Sequence, residues 1–504
     1  MNASALPTDE LRGLRRAARP LEWWLPIGIV VATMLIRAPV WGDPNYHVDE
    51  SFYLLVGDRM RAGALPYVDL WDRKPFGLFL LYWWLAAAGR GNVVYVQLAA
   101  ALCVAATAML LATMARRTSD PLTALLVAVG YVAGLEALAG GGGQSPVFYN
   151  LPMTAMALLA WQSRDAAPPD GGFRFAGAAV LCGGVALTIK PTCLPECLVL
   201  GALLGVERMK RASNARRGKI ELALLAGFGL GPTLACLLFF AASGHARDYI
   251  DATMLSGLRR EAMAGDERLA LAFYLLPRIG PSICLAAAGV ALTCRRSARD
   301  ARWLLAWITG ALLGFLMMPN FYDHYALPLL PSLSLAAAPL FARRPLGLAF
   351  AAISVAVPLP LSGWPAIDRT RASVAAMTRA VRVVEHHGGA GSLYVFDGPP
   401  ALYTLTHAPV PTRWVFPDHL STREEYRAIG THPEAEVTTI LQRRPLVIVA
   451  AEDAGPRHAS PATRGLVRAA LAARYRRVAS VYLPDVTGGR RIGIFALRSV
   501  AASR

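Results

Sequence analysis

Eleven apolar stretches, each near the length a helix needs to cross hydrocarbon, fill the first 362 residues of this chain. They cover about residues 22–41, 91–115, 120–138, 147–163, 174–192, 194–209, 220–243, 276–294, 302–318, 326–342 and 345–362. A water-soluble core has no room to bury so many. With 504 residues that are 55% hydrophobic and only 17% charged, the composition points to a bilayer as solvent.

The net charge of +17 raises nucleic acid as a partner, but the positions of the basic residues exclude it in favour of a lipid bilayer. They gather in alternate connections between the apolar stretches. Arg12, Arg15, Arg16 and Arg19 precede the first; Arg116 and Arg117 follow the second; Arg208, Lys210, Arg211, Arg216, Arg217 and Lys219 follow the sixth. Arg295, Arg296 and Arg299 follow the eighth, and Arg343 and Arg344 the tenth. The positive-inside rule makes that side cytoplasmic, with the amino terminus in and the carboxyl terminus out. Phe76 to Gly89 (FGLFLLYWWLAAAG) is too short to span at 14 residues and would invert this pattern, so it reads as a helix lying in the outer interface. The first external loop then runs over 42–90. The first stretch ends in Arg37-Ala-Pro rather than at a small-residue cleavage site, and reads as an uncleaved anchor.

From about Gly363 the apolar runs shrink and polar residues return, leaving about 140 residues for one soluble α/β domain. Ser392 to Phe396, Pro445 to Ala450, and Val481 to Ala496 broken at Gly488-Gly489 read as strands. Arg371 to His386 and Pro461 to Arg476 have helical spacing. The fold class expected is a polytopic α-helical membrane protein with about eleven transmembrane helices over 1–362 and a C-terminal extracytoplasmic α/β domain over 363–504. The seven cysteines imply no disulfide framework, and no Cys/His cluster has zinc-like spacing. Gly140 to Gly143 reads as a flexible external turn.

Ionisable residues close to membrane spans are functional candidates by default. Arg37, Glu136, Lys190, Glu196 and Arg278 all fall at outer helix ends, and three cations gathered there invite an anionic partner such as a lipid phosphate. Each taken alone is better explained by pairing or snorkelling. The first external loop holds the strongest constellation: His47-Val-Asp49-Glu50-Ser-Phe-Tyr53, then Asp58-Arg59, then Tyr67-Val-Asp69-Leu-Trp71-Asp72-Arg73-Lys74-Pro75. Adjacent carboxylates beside a basic pair supply a proton acceptor and a phosphate clamp on one membrane surface. The competing reading is that Asp49 merely caps a helix from Glu50 to Ala62, with Asp69 and Asp72 as solvated loop residues or partners of Arg59 and Arg61.

The run DESFYLLVGDRMRAGALPYVDLWDRKPFG resembles the first external loop of the GT-C glycosyltransferases, in particular the bacterial relatives of protein mannosyltransferases and of the aminoarabinose transferase that modifies lipid A. Gln144-Ser-Pro-Val-Phe-Tyr149, Ile189-Lys190-Pro191 and Phe321-Tyr-Asp-His-Tyr-Ala-Leu-Pro-Leu-Leu-Pro331 resemble further landmarks, so the likeness covers roughly residues 22–362. It implies a GT-C fold, a polyprenyl-phosphate sugar donor, and a glycolipid, polysaccharide or protein acceptor on the outer face of a bacterial inner membrane. It further implies Asp49 as general base, with Glu50 orienting acceptor or loop. Lys74 would contact the donor phosphate, with Arg73, Lys190 and Arg278 as further cations. His47, Tyr53, Asp72, His324 and Tyr325 would line the cavity. Arg73 stands where relatives often carry an acidic residue, so no metal and no cofactor is expected. A transporter would place charge at mid-membrane, and the mid-span positions are nearly free of it. A ligase using a diphosphate-linked glycan would differ chiefly in its donor.

Overall fold

The computed structural model describes residues 23–89, 91–166, 171–318, 320–453, 459–486 and 488–498; the amino-terminal arginines lie outside them. Every one of the eleven apolar stretches is helical. In chain order, α1 is Trp24–Arg37, α2 Val48–Arg61, α3 Phe76–Leu85, α4 Val93–Ala115, α5 Pro121–Ala137, α6 Ser145–Asp165 and α7 Gly171–Leu187. Then come α8 Leu194–Arg211, α9 Ala215–Ala242, α10 Gly265–Arg296, α11 Ala298–Leu316, α12 Leu329–Ala336 and α13 Leu346–Ala356. Three of these, α4, α9 and α10, are long and apolar enough to cross a membrane. Side-chain caps start several: Asn92 accepts from the Val94 N–H, Asp120 from Thr123 ahead of Pro121, and Ser297 from Asp300. α9 leaves Ile220, Leu224, Phe228, Leu234 and Leu238 exposed, a face suited to lipid rather than water.

The basic connections converge on one end of the bundle, where helix termini pair them with acids. Arg117 lies 3.0 Å from Asp165, Arg164 2.6 Å from Asp300, Arg208 2.9 Å from Glu221, and Arg344 3.3 Å from Asp120.

At the other end sit α2 and α3. The sequence suggests an amphipathic α2 beginning at Glu50; instead the helix begins at Val48, and every side chain from Asp49 to Asp58 is buried. The reason is above and below it: α3 packs along one side with Leu78, Phe79 and Tyr82 turned inward, and the C-terminal region covers another. α3 keeps only Leu80, Trp83 and Trp84 exposed, the aromatic edge expected of an interfacial helix.

Past the bundle, α14 (Ile367–His386) leads into a four-stranded sheet of order β1-β2-β4-β3. β1 (Leu393–Val395) and β2 (Val447–Ala451) are parallel, with α15 (Pro433–Gln442) between them in the chain. α16 (Pro461–Arg474) then precedes β3 (Tyr475–Leu483), which pairs antiparallel with β4 (Arg490–Leu497). Helical spacing up to Arg476 overstates α16. The ladder from Tyr475 to Leu483 against β4 claims those residues for the sheet, tertiary pairing overriding local periodicity.

This region is stitched to the helical part. Ser373 Oγ donates to Asp43 at 2.6 Å, the Asn45 amide to the Pro484 carbonyl at 2.9 Å, and the Trp364 indole to the Ile36 carbonyl at 2.9 Å.

Candidate functional site

Asp49 and Glu50 are consecutive on α2, so their side chains leave the helix about 100° apart. The structure separates their surroundings completely.

Glu50 points into a buried polar knot. It accepts from Gln97 Nε2 at 2.9 Å and from the backbone N–H of Gly143. Arg37, wholly buried, donates to the carbonyls of Gly140, Gly141 and Gly142 at 2.7, 2.8 and 3.0 Å and lies 3.5 Å from Glu136. The Tyr46 hydroxyl accepts from Gly141 N–H, and Tyr82 donates to the Gly143 carbonyl. Two expectations are therefore corrected. Gly140 to Gly143 is no flexible external turn but a buried loop, because its bare backbone supplies the acceptors that satisfy a buried guanidinium. Arg37 and Glu136 are spent on one another and on that loop, not held ready for a lipid phosphate. Burial pushes the Glu50 carboxyl up to about 7 against the two hydrogen bonds it accepts.

Asp49 faces the other way. His47, not Asp49, caps α2: its Nδ1 accepts the Asp49 backbone N–H at 3.1 Å. Burial drives the Asp49 carboxyl upward, but Lys74, His47, His324 and Lys190 outweigh it and hold the group below the usual carboxylate range. Lys74 stays charged, since Asp72 and Asp49 overcome the effect of its burial. Its Nζ lies 3.8 Å from Asp72 and 5.5 Å from the Tyr53 ring. Lys190 leaves the extended break after α7 and sets its Nζ 4.5 Å from the centre of the Tyr325 ring. The rings of His47 and His324 meet edge to face at 5.3 Å, and His324 meets Tyr325 at 4.5 Å. The His324 backbone N–H donates to Asp323 at 2.8 Å, which ties its loop. Burial lowers its imidazole to about 4. His47, Asp49, Tyr53, Asp72, Lys74, Lys190, His324 and Tyr325, drawn from four separate stretches of sequence, are thus brought together.

No family model matches the chain, and no curated protein matches it by sequence. Solved structures share its architecture. ArnT from Cupriavidus metallidurans bound to undecaprenyl phosphate superposes with a TM-score of 0.60 at 15% identity, over 96% of this chain and 100% of that one. Its apo state gives 0.61 at 15%, over 94% and 97%. The chain has the GT-C fold. The archaeal oligosaccharyltransferase AglB from Archaeoglobus fulgidus, in complex with an inhibitory peptide and a dolichol-phosphate, matches at 0.50 and 11% identity, over 86% of this chain and 69% of that one.

Within this GT-C fold, the remaining candidates separate. Asp72 is not a solvated loop residue: it is buried, accepts from the Lys74 N–H at 2.8 Å and lies 3.8 Å from His419. Asp69 is exposed and accepts from the Leu65 N–H at 2.7 Å. Arg73 is engaged by buried Glu425 of the C-terminal region. Arg278 turns back on its own helix, donating to the Tyr274 carbonyl at 2.9 Å with its guanidinium 3.5 Å from that ring. Glu196 accepts from the Trp307 indole. Among the described residues no group of three or more His, Cys, Asp or Glu could hold a metal ion.

Three residues that the sequence reading passed over complete the site. Glu425 also holds Arg260 at 2.9 Å, and Arg260 lies 3.1 Å from Glu424 and close to Tyr325. His419 is fully buried among Trp71, Phe52 and Phe416. One signal pointed to Arg260: the Arg259-Arg260 pair falls in a connection expected outside, where basic residues need an acidic partner. No spacing rule links residues 73, 260 and 425.

Proposed function

We propose that this chain is a membrane glycosyltransferase that moves a sugar from a polyprenyl-phosphate donor to a hydroxyl of a glycolipid, glycan or protein on the outer face of a bacterial inner membrane. The observation that carries the reading is a buried, ionised Asp49 with the Lys74 ammonium and the Lys190 amino group around it. Likeness of fold to a protein solved with undecaprenyl phosphate and to one solved with dolichol-phosphate supports a lipid phosphate as the ligand those groups await.

In this reading the acceptor oxygen attacks the anomeric carbon, its proton passes to Asp49, and the bond from that carbon to the phosphate oxygen breaks. Lys74 and Lys190 take up the charge on the departing polyprenyl phosphate. A carboxylate held this low in pKa is always in its basic form but is a weak base. A docked phosphate counters the cations that depress it, so donor binding itself raises the proton affinity of Asp49. Residues 1–362 form the membrane-embedded catalytic part and 363–504 an external domain, with the amino terminus cytoplasmic.

Sugar transfer from radiolabelled polyprenyl-phosphate sugars in proteoliposomes tests this. Wild type should transfer label or hydrolyse donor, with Asp49→Asn and Lys74→Ala near background at matched expression. Failure of every monophosphate donor would transfer the case to diphosphate-linked glycans or to transport.

A further inference from the structure

The C-terminal sheet holds a cleft that the transfer chemistry leaves unused. It lies between α16 and the sheet, has a volume of about 440 Å³ and is floored by Ala450, Val467, Leu471 and Phe495. That is the size of a small-molecule site. It adjoins the carboxyl ends of the parallel strands β1 and β2, where α/β sheets receive ligands. Gly493 helps keep it open: a Cβ there would meet the Phe495 ring at 2.5 Å and a Glu452 carboxylate oxygen at 3.0 Å.

Three arginines and two carboxylates line it. Both carboxylates are spoken for: Asp397 accepts from Arg464 at 2.6 Å and from the Ala451 N–H at 2.6 Å, and Glu452 from Arg477 at 3.0 Å and Ser480 at 2.5 Å. The cations are not equally satisfied. Arg464 is buried, and its Nε has no hydrogen-bond partner among the described residues. Arg468, one turn further along α16, is exposed and makes no ion pair among them. An apolar floor under a surplus of guanidinium donors suits an oxyanion carried on a compact ring.

We propose that this cleft binds a carboxylate- or phosphate-bearing sugar unit of the acceptor. That the ligand is the acceptor rests on the transferase reading; that the cleft takes an anionic sugar does not.

The test is equilibrium binding to the full chain in nanodiscs, with a disaccharide bearing one uronate, its neutral counterpart and inorganic phosphate as probes. The uronate disaccharide or phosphate should bind saturably, Arg468→Ala should weaken it roughly tenfold, and Lys74→Ala should bind the uronate disaccharide as wild type does. Uronate binding would identify a uronic acid, and phosphate binding that Arg468→Ala weakens would identify a phosphorylated sugar. Equal binding of the neutral probe, indifference to Arg468→Ala, or loss of uronate binding in Lys74→Ala would overturn the proposal. Wild type that binds the anionic probe but transfers no sugar from any donor would sink the transferase reading and leave the cleft standing.

Discussion

His47 Nδ1 accepts the backbone N–H of Asp49 at 3.1 Å, so the side chain that opens α2 also relieves its neighbour of capping duty. The Asp49 carboxylate remains in the field of Lys74 and Lys190. Asp49→Asn keeps the shape of the side chain and removes its capacity to accept a proton. Transfer per folded molecule should fall roughly 100- to 10,000-fold. Single-turnover assays in proteoliposomes at matched expression measure it; transfer within a few-fold of wild type would remove Asp49 as the base.

Glu425 joins Arg73 and Arg260 across a large gap in sequence, and Arg73 adjoins Lys74, the lysine proposed to meet the donor phosphate. Glu425→Gln preserves volume but unpairs Arg73 and leaves Arg260 with Glu424 alone. Losing one partner of a buried pair costs on the order of 3 kcal/mol, and the loop carrying Lys74 loosens with it. Donor KM should rise about tenfold while kcat changes little. A fall in kcat at constant KM would mean that Glu425 acts on the chemistry rather than on the loop.

The glycine loop predicts a sharp sensitivity. A Cβ on Gly142 would stand 2.4 Å from a Glu50 oxygen and 2.7 Å from the Tyr46 ring. Gly142→Ala should therefore lose about 1 to 3 kcal/mol. Arg37→Met should lose more, since three carbonyls and Glu136 are stranded. Thermal unfolding of purified protein reads both, and a Gly142→Ala protein as stable as wild type would show the loop to be looser than described.

His419 sets an acid limit. Burial lowers its imidazole to about 4, although Asp72 and Glu425 pull the other way. Between the ordinary histidine value near 6.5 and about 4, the unfolded chain binds the proton and the folded one does not. Stability should therefore fall as pH drops through that window. His419→Phe fits the cage of Trp71, Phe52 and Phe416 and should flatten that part of the melting-temperature profile. His324, likewise lowered to about 4, leaves part of the slope in place.

Apolar length and alternating basic loops made the helices legible, and the strand and helix order of the C-terminal region followed from period and glycine breaks. Asp49, Lys74, Lys190 and His324 were legible as charged or polar residues at helix ends, together with the family resemblance of their loop. What escaped was everything that depends on distant chain. Nothing local distinguishes a glycine run that floats from one that wraps an arginine, and only the fold brings Gly140 to Arg37. Glu425 and His419 look like ordinary polar residues of a soluble domain until that domain is laid on residues 71–74. Helical spacing likewise could not foresee that β4 would claim Tyr475 to Ser480 for the sheet.

Neighbouring positions on α2 carry burdens of opposite kind. A mutational scan scored by growth would mark Asp49 and Glu50 as equally intolerant, and a sequence logo would print them as one motif. Scored by protein abundance, the pair should split: substitutions at Glu50 deplete the folded enzyme, whereas those at Asp49 leave it abundant and idle. On the proposed function, the second letter of the dipeptide is architecture, and the first is chemistry.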